Sequence, residues 1–184
     1  MAVKKKTSKK TSKKKAKTEK TKGARGAGSY PAVGTMAPDF SLDSTTGRPI
    51  RLSDYQNKKI VVLYFYPKDS TSGCTREACG FRDVMKASRS KRVEVLGVSC
   101  DSLASHERFK AKYALPFPLL ADTAHDVAAQ YGVWQQKSMA GRKYMGVVRT
   151  TFVIDKAGKL AKVYEKVKVD GHHDEVFDWI DANL

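Results

Sequence analysis

The stretch Tyr64–Asp83, YFYPKDSTSGCTREACGFRD, decides how the chain reads. Its first residues end the run Ile60–Tyr66, IVVLYFY, which is almost wholly β-branched and aromatic. A half-exposed strand would alternate apolar and polar residues, so this run predicts a central strand buried on both faces. Pro67 closes the strand rigidly, because its ring fixes the backbone. The small polar residues PKDSTSG, 67–73, then read as a loop. A helix follows from about Cys74 to Lys86, with Cys74, Ala78, Phe81 and Met85 forming one apolar stripe at helical spacing.

This register puts Cys74 at a loop-to-helix junction. Unpaired N–H groups and the positive end of the helix dipole favour an anion there, and a thiolate is such an anion. Lys68 and Arg76 add positive charge close by in sequence. Thr71 can offer a hydroxyl to the sulfur or to a bound oxygen. The small residues Ser70–Gly73 let backbone N–H groups approach a small ligand. The pattern suits a nucleophilic sulfur. Cys79 lies five residues on. In an intact helix that spacing is a rise of about 7.5 Å and a rotation of about 140°, outside the roughly 4.4–6.8 Å between Cα atoms that a disulfide needs. Either the two cysteines never bond, or the first helical turn unwinds when they do. A zinc site would want a second Cys or His pair, whereas His106, His125, His172 and His173 are scattered. The Cys-x-x-Cys spacing of disulfide exchange is absent.

Beyond this segment, Asp39–Leu42 and Pro49–Leu52 read as short extended pieces around a turn at residues 45–48. Val93–Ser99 reads as a strand, and Ser102–Tyr113 as a helix capped by Ser102. A short extended piece at 116–120 and a short helix at Asp126–Tyr131 follow. Val147–Ile154 and Leu160–Lys166 read as strands joined by the turn at 155–158. An amphipathic helix carrying Val176, Phe177, Ile180 and Leu184 closes the chain. The order predicts an α/β fold with a mixed central sheet flanked by helices.

Composition first points elsewhere. The 184 residues carry a formal net charge of +16, which nominates a nucleic-acid or acidic-surface binder. The charge is concentrated, however. Residues 1–25 hold eleven lysines and Arg25 against Glu19 alone, a net +11. With so few large apolar residues, this segment is expected to be a disordered tail, with Gly23–Gly34 as a linker. The division is 1–30 for the tail and linker and 31–184 for the folded domain. The tail is expected to be either a solvated appendage or a weak, salt-sensitive nucleic-acid contact. It lacks the apolar segment of a secretory signal. Three cysteines do not make a secreted disulfide framework, and no run reaches the roughly 18 apolar residues of a membrane helix.

The segment Tyr64–Asp83 resembles the active-site segment of the peroxiredoxins, and most closely the bacterioferritin comigratory protein or peroxiredoxin Q subfamily. The pattern Pro-x-x-x-Thr/Ser-x-x-Cys is met by Pro67, Thr71 and Cys74, and the subfamily's second cysteine by Cys79. APDFSL at 37–42, VEVLGVS at 93–99, LPFPLLAD at 115–122, YGVW at 131–134 and YMGVVRTTFVID at 144–155 extend the resemblance over about residues 33–184. It implies a thioredoxin-like fold and a thiol peroxidase acting on hydrogen peroxide and alkyl hydroperoxides. Cys74 is then peroxidatic and Cys79 resolving, through an intrachain disulfide that thioredoxin or a similar dithiol reduces. Thr71 and Arg149 contact the sulfur and the peroxide, and Glu77 supports Arg149. No metal, haem or flavin is called for, and a monomer is expected. A cytoplasmic location fits reducing chemistry; the basic tail would also suit a nucleus or a nucleoid.

Other residues read more plainly. Cys100, at the end of a strand, is expected to be a small buried hydrophobe. Arg142 and Lys143 are expected in a solvated loop, Trp134 and Tyr144 in packing, and His172-His173 as surface polar residues.

Overall fold

A computed structural model describes residues 29–86 and 92–184. The disorder expected of residues 1–25 concerns residues outside that range. Nine strands and four helices run in the order β1 (Ser41–Ser44), β2 (Ile50–Arg51), β3 (Ile60–Phe65), α1 (Ser72–Val84), β4 (Val93–Ser99), α2 (Leu103–Tyr113), β5 (Leu119–Ala121), α3 (Asp126–Gln130), β6 (Trp134–Met139), β7 (Arg142–Val147), β8 (Thr150–Ile154), β9 (Leu160–Tyr164) and α4 (His172–Asn183), among the described residues. Seven strands form one sheet in the order β2-β1-β5-β4-β3-β8-β9. β3, β4 and β5 are parallel, while β8 pairs antiparallel with β3 and β9 with β8. The fold is the mixed α/β sandwich that the element order predicts, in the thioredoxin-like form that the resemblance implies.

Burial on both faces explains the composition of β3, where every residue is buried. Ile60, Val62 and Tyr64 point to one face, packing with Phe81 and Val84 of α1, Phe109 of α2 and Phe177 and Ile180 of α4. Val61, Leu63 and Phe65 point to the other, packing with Phe152, Ile154, Val127 and Tyr131. Tyr64 is paired across the ladder with Gly97, where a Cβ would lie 2.7 Å from the Tyr64 hydroxyl oxygen. A glycine is what lets that large ring lie flat over β4.

Ser102 caps α2 as expected, accepting from the Ser105 N–H, and β4 spans the predicted residues. Two readings change. The solvated loop expected at Arg142 and Lys143 is instead part of the separate hairpin β6–β7, with Lys137 opposite Tyr144. Arg142 and Lys143 therefore lie on a strand. Ala140 and Gly141 both take positive φ, 50° and 78°, the mirror-image turn that matches strand twist. The run Val147–Ile154 is not one strand, because it breaks at Val148 and Arg149 between β7 and β8. Its β-formers continue across the break, so pattern alone could not show it. Of the stretch read as linker, Tyr30 packs edge-on against Phe152, and the Gly34 N–H donates to the Leu160 carbonyl at 2.7 Å.

Candidate active site

Helix α1 starts at Ser72, two residues earlier than its apolar stripe, so Cys74 lies inside the first turn. Thr71 is the cap residue, in extended conformation. The sulfur is almost fully enclosed, with Cys74 only 1% exposed. What meets it is Arg149, whose Nη2 donates to Sγ at 3.1 Å. The break between β7 and β8 is what turns this side chain out of the sheet ladder and across to α1.

Arg149 Nη1 donates to the Glu77 carboxylate, one helical turn beyond Cys74. Glu77 is buried, and burial pushes its carboxyl up to about 7 against the pull of Arg149. Its second oxygen, Oε1, has no partner among the described residues. Burial works against the Arg149 charge, but the negative charge that Glu77 and Cys74 carry when ionised outweighs it and holds the guanidinium above its ordinary range. Arg149 is thus a fixed cation, braced by one carboxylate and aimed at one sulfur.

The neighbouring cations of the sequence are placed differently. Arg76 points outward to Asp170 at 3.2 Å, and Lys68 is exposed. The charge beside the sulfur comes from Arg149, 75 positions away in the chain. Thr71 is exposed, and its hydroxyl donates to the Lys68 carbonyl at 3.1 Å rather than to the sulfur. Pro67 stands exposed just after β3. Cys79 is half-buried on the same helix as Cys74, and all three cysteines are free thiols. In an intact α1 the two sulfurs are held apart by the five-residue spacing.

A buried polar network that sequence reasoning missed anchors the loop. Asp69 accepts from the Tyr66 hydroxyl at 2.7 Å and lies 2.9 Å from His106 Nδ1. Its backbone N–H donates to Asp101 at 2.8 Å, while His106 Nε2 reaches the Leu120 carbonyl at 3.1 Å. Burial opposes the Asp69 charge, but the hydrogen bonds of His106 and Tyr66 hold its carboxyl below the usual range. The loop 67–71 is therefore tied to Asp101 just after β4, to α2 and, through His106, to β5. The available signals were an aspartate inside the loop and a histidine on the apolar face of α2 beside Phe109.

His172 is also corrected. It is buried, with Nε2 2.8 Å from Thr151 Oγ1, and burial pushes its imidazole down to about 4. The His173 ring fills the notch at Gly80 of α1, where a Cβ would lie 2.3 Å from Nδ1. Packing of α4 on α1 draws both inward. Trp134 packs against the His125 ring at 4.1 Å between centroids, whereas Tyr144 is 45% exposed on the hairpin. Cys100 packs against the core, and burial with the charges of Asp122 and Asp101 pushes its thiol up to about 11.

A helix-seated thiol facing a braced arginine, at the end of the central strand of a thioredoxin-like sheet, defines a class: the thiol-based peroxidases. Residues 33–163 match the model of the AhpC/TSA family, and the chain belongs to that family. It is 53% identical over 144 residues to a putative peroxiredoxin bcp of Coxiella burnetii, covering 78% of this chain and 95% of the relative. Over 140 residues it is 49% identical to peroxiredoxin Bcp of Bacillus subtilis, covering 76% and 88%. A crystal structure of a mutant PrxQ of Xylella fastidiosa superposes with a TM-score of 0.78 at 33% identity, covering 84% of this chain and 98% of that one. A second, with a TM-score of 0.73 at 34% identity, covers 78% and 90% and comes from a study of alkyl peroxide reduction by the bacterioferritin comigratory protein of Xanthomonas campestris. The protein is a thiol peroxidase, an oxidoreductase that reduces peroxides with a thiol reductant.

Proposed function

We propose that Cys74 is the peroxidatic cysteine, Cys79 the resolving cysteine, and Arg149, Thr71 and Pro67 the residues that shape the peroxide site. The observation that carries this reading is the Arg149 Nη2 to Cys74 Sγ contact of 3.1 Å, with Glu77 bracing the same guanidinium. The Cys74 thiolate attacks one peroxide oxygen. The O–O bond breaks, its electron pair leaves with the other oxygen, and that oxygen takes up a proton to become water or an alcohol. Arg149 and the first backbone N–H groups of α1 stabilise the charge that develops on the oxygens. Cys74 is oxidised to a sulfenic acid. Thr71, released from the Lys68 carbonyl, donates to the bound peroxide, and Pro67 fixes the start of the loop.

The first turns of α1 then unwind, and the Cys79 thiolate attacks the Cys74 sulfur. An S–S bond forms and the sulfenic oxygen leaves as water. Thioredoxin, or a dithiol protein like it, reduces this disulfide through a mixed disulfide. Hydrogen peroxide and alkyl hydroperoxides are the substrates, and a cytoplasmic location suits the reducing step. The peroxidase unit takes in the chain from Tyr30 onward, and the charge of the lysine-rich residues 1–25 suits weak, salt-sensitive contact with nucleic acid.

The test is to oxidise the protein with hydrogen peroxide and map its disulfides by mass spectrometry. One intrachain bond between Cys74 and Cys79 is expected, removed by thioredoxin with its reductase and NADPH. A bond between Cys74 and Cys100 would refute the role given to Cys79.

A further inference from the structure

The hairpin β6–β7 stands apart from the main sheet, yet one of its side chains reaches towards the site. Lys137 lies half-buried on β6, opposite Tyr144. Its ammonium donates to the Val147 carbonyl at 2.6 Å. To get there the side chain crosses Gly146, where a Cβ would lie 3.5 Å from Lys137 Cδ and 3.3 Å from the Tyr144 ring. A Cβ at 146 would press on the Tyr144 ring and lie in ordinary contact with the lysine stem.

Val147 is the last residue of β7 and stands two positions before Arg149. The link between β7 and β8 belongs to no strand ladder, so its shape rests on individual hydrogen bonds. The Val148 N–H donates to the Val133 carbonyl at 2.8 Å. The Val148 carbonyl accepts from the Thr150 hydroxyl at 3.0 Å, and the Arg149 carbonyl from the Val167 N–H at 3.0 Å. The Val147 carbonyl is held by Lys137, and this is the one bond among these four in which the donor carries a full charge. Charge-assisted bonds are about twice as strong as neutral ones. The ammonium also senses the site directly: burial and the charge of Arg149 hold Lys137 below its ordinary range, while charge on an ionised Cys74 pulls the other way.

We propose that Lys137 is a positioning residue for the peroxidase reaction, holding the Val147 carbonyl so that the link beyond it delivers Arg149 to Cys74. This inference rests on the roles given above to Cys74 and Arg149. A guanidinium shifted by a fraction of an ångström no longer meets both the sulfur and the Glu77 carboxylate. Misplacement of about 1 Å can cost a factor of about a hundred in rate.

The experiment is stopped-flow oxidation of the reduced enzyme by hydrogen peroxide, with Lys137→Met, Lys137→Arg, Arg149→Ala and the double variant Lys137→Met/Arg149→Ala. Lys137→Met is expected to slow oxidation about tenfold, and Lys137→Arg, which keeps a charged donor, to restore most of the rate. The decisive arm is the double variant. If Lys137 acts through Arg149, adding Lys137→Met to Arg149→Ala costs almost nothing further. A general loss of fold would add in full. If Lys137→Met does not fold, Lys137→Gln, too short to reach the carbonyl, takes its place in the cycle. An unchanged rate in the Met or Gln variant overturns the proposal, and so does a loss that persists undiminished without Arg149. Cys74→Ser is run beside them. If its oxidation matches the wild type, the reading of the site itself has failed, and that outcome is distinct from either of the others.

Discussion

Cys74 and Cys100 follow neighbouring parallel strands, Cys74 beyond β3 past the loop 67–71 and Cys100 directly after β4. Simple exposure would rank Cys100 as the more reactive, since Cys74 is 1% exposed and Cys100 is half-buried. Their charged surroundings rank them the other way. Cys74 meets the guanidinium of Arg149, whereas Cys100 is flanked by Asp101 and Asp122, which add to burial in pushing its thiol up to about 11. A few side chains decide whether a sulfur at the end of a buried strand is a nucleophile or a filler. On the reading proposed above, the enclosure of Cys74 is no bar to chemistry, because a peroxide is small and the cation is already in place.

The widest expected gap is in peroxide consumption. Cys74→Ser should lower the rate by about a thousandfold or more, while Cys100→Ser should leave it within about a factor of two in the same assay. A similar loss in both would break the contrast. Next in size, Arg149→Ala should slow Cys74 oxidation roughly a hundredfold, as removal of a preorganised charge donor does elsewhere, without changing the labelling of Cys100 by iodoacetamide. The smallest effect concerns the acids. Because burial and two anions raise the Cys100 thiol to about 11, its alkylation should climb with pH through the alkaline range. Asp122→Asn removes one anion, so the curve should move to lower pH and the rate at a fixed pH below it should rise a few-fold. Peptide-level mass spectrometry across a pH series measures this, and an unmoved curve would leave burial and Asp101 as the causes.

Much of the fold was legible because its signals are local. The wholly apolar β3, the Ser102 cap and the stripe on α1 each state their structure within a dozen residues. The hairpin β6–β7 was not legible, since WQQKSMAGRKYMGV is polar and its turn uses Ala140-Gly141 rather than the more telling Asn-Gly. The loop and Cys74 could be read from residue types. Arg149 came only through the family resemblance, because no local rule brings it across from the far side of β3. The buried pair Asp69–His106 and the inward turn of His172 escaped notice for the same reason: each partner lies on another element.

One small feature bears on how often the enzyme can repeat its cycle. The notch at Gly80 seats the His173 ring one residue beyond Cys79, and α4 packs there on α1. Phe81 and Val84 lie on the far side of that contact, deep among the residues that hold the sheet face. A bond between Cys74 and Cys79 therefore needs to disturb only the segment ahead of the notch. On the mechanism proposed above, the rearrangement takes Cys74 and Ala78 out of the buried sheet face and stops at the notch, so Phe81 and Val84 stay in place through each turnover.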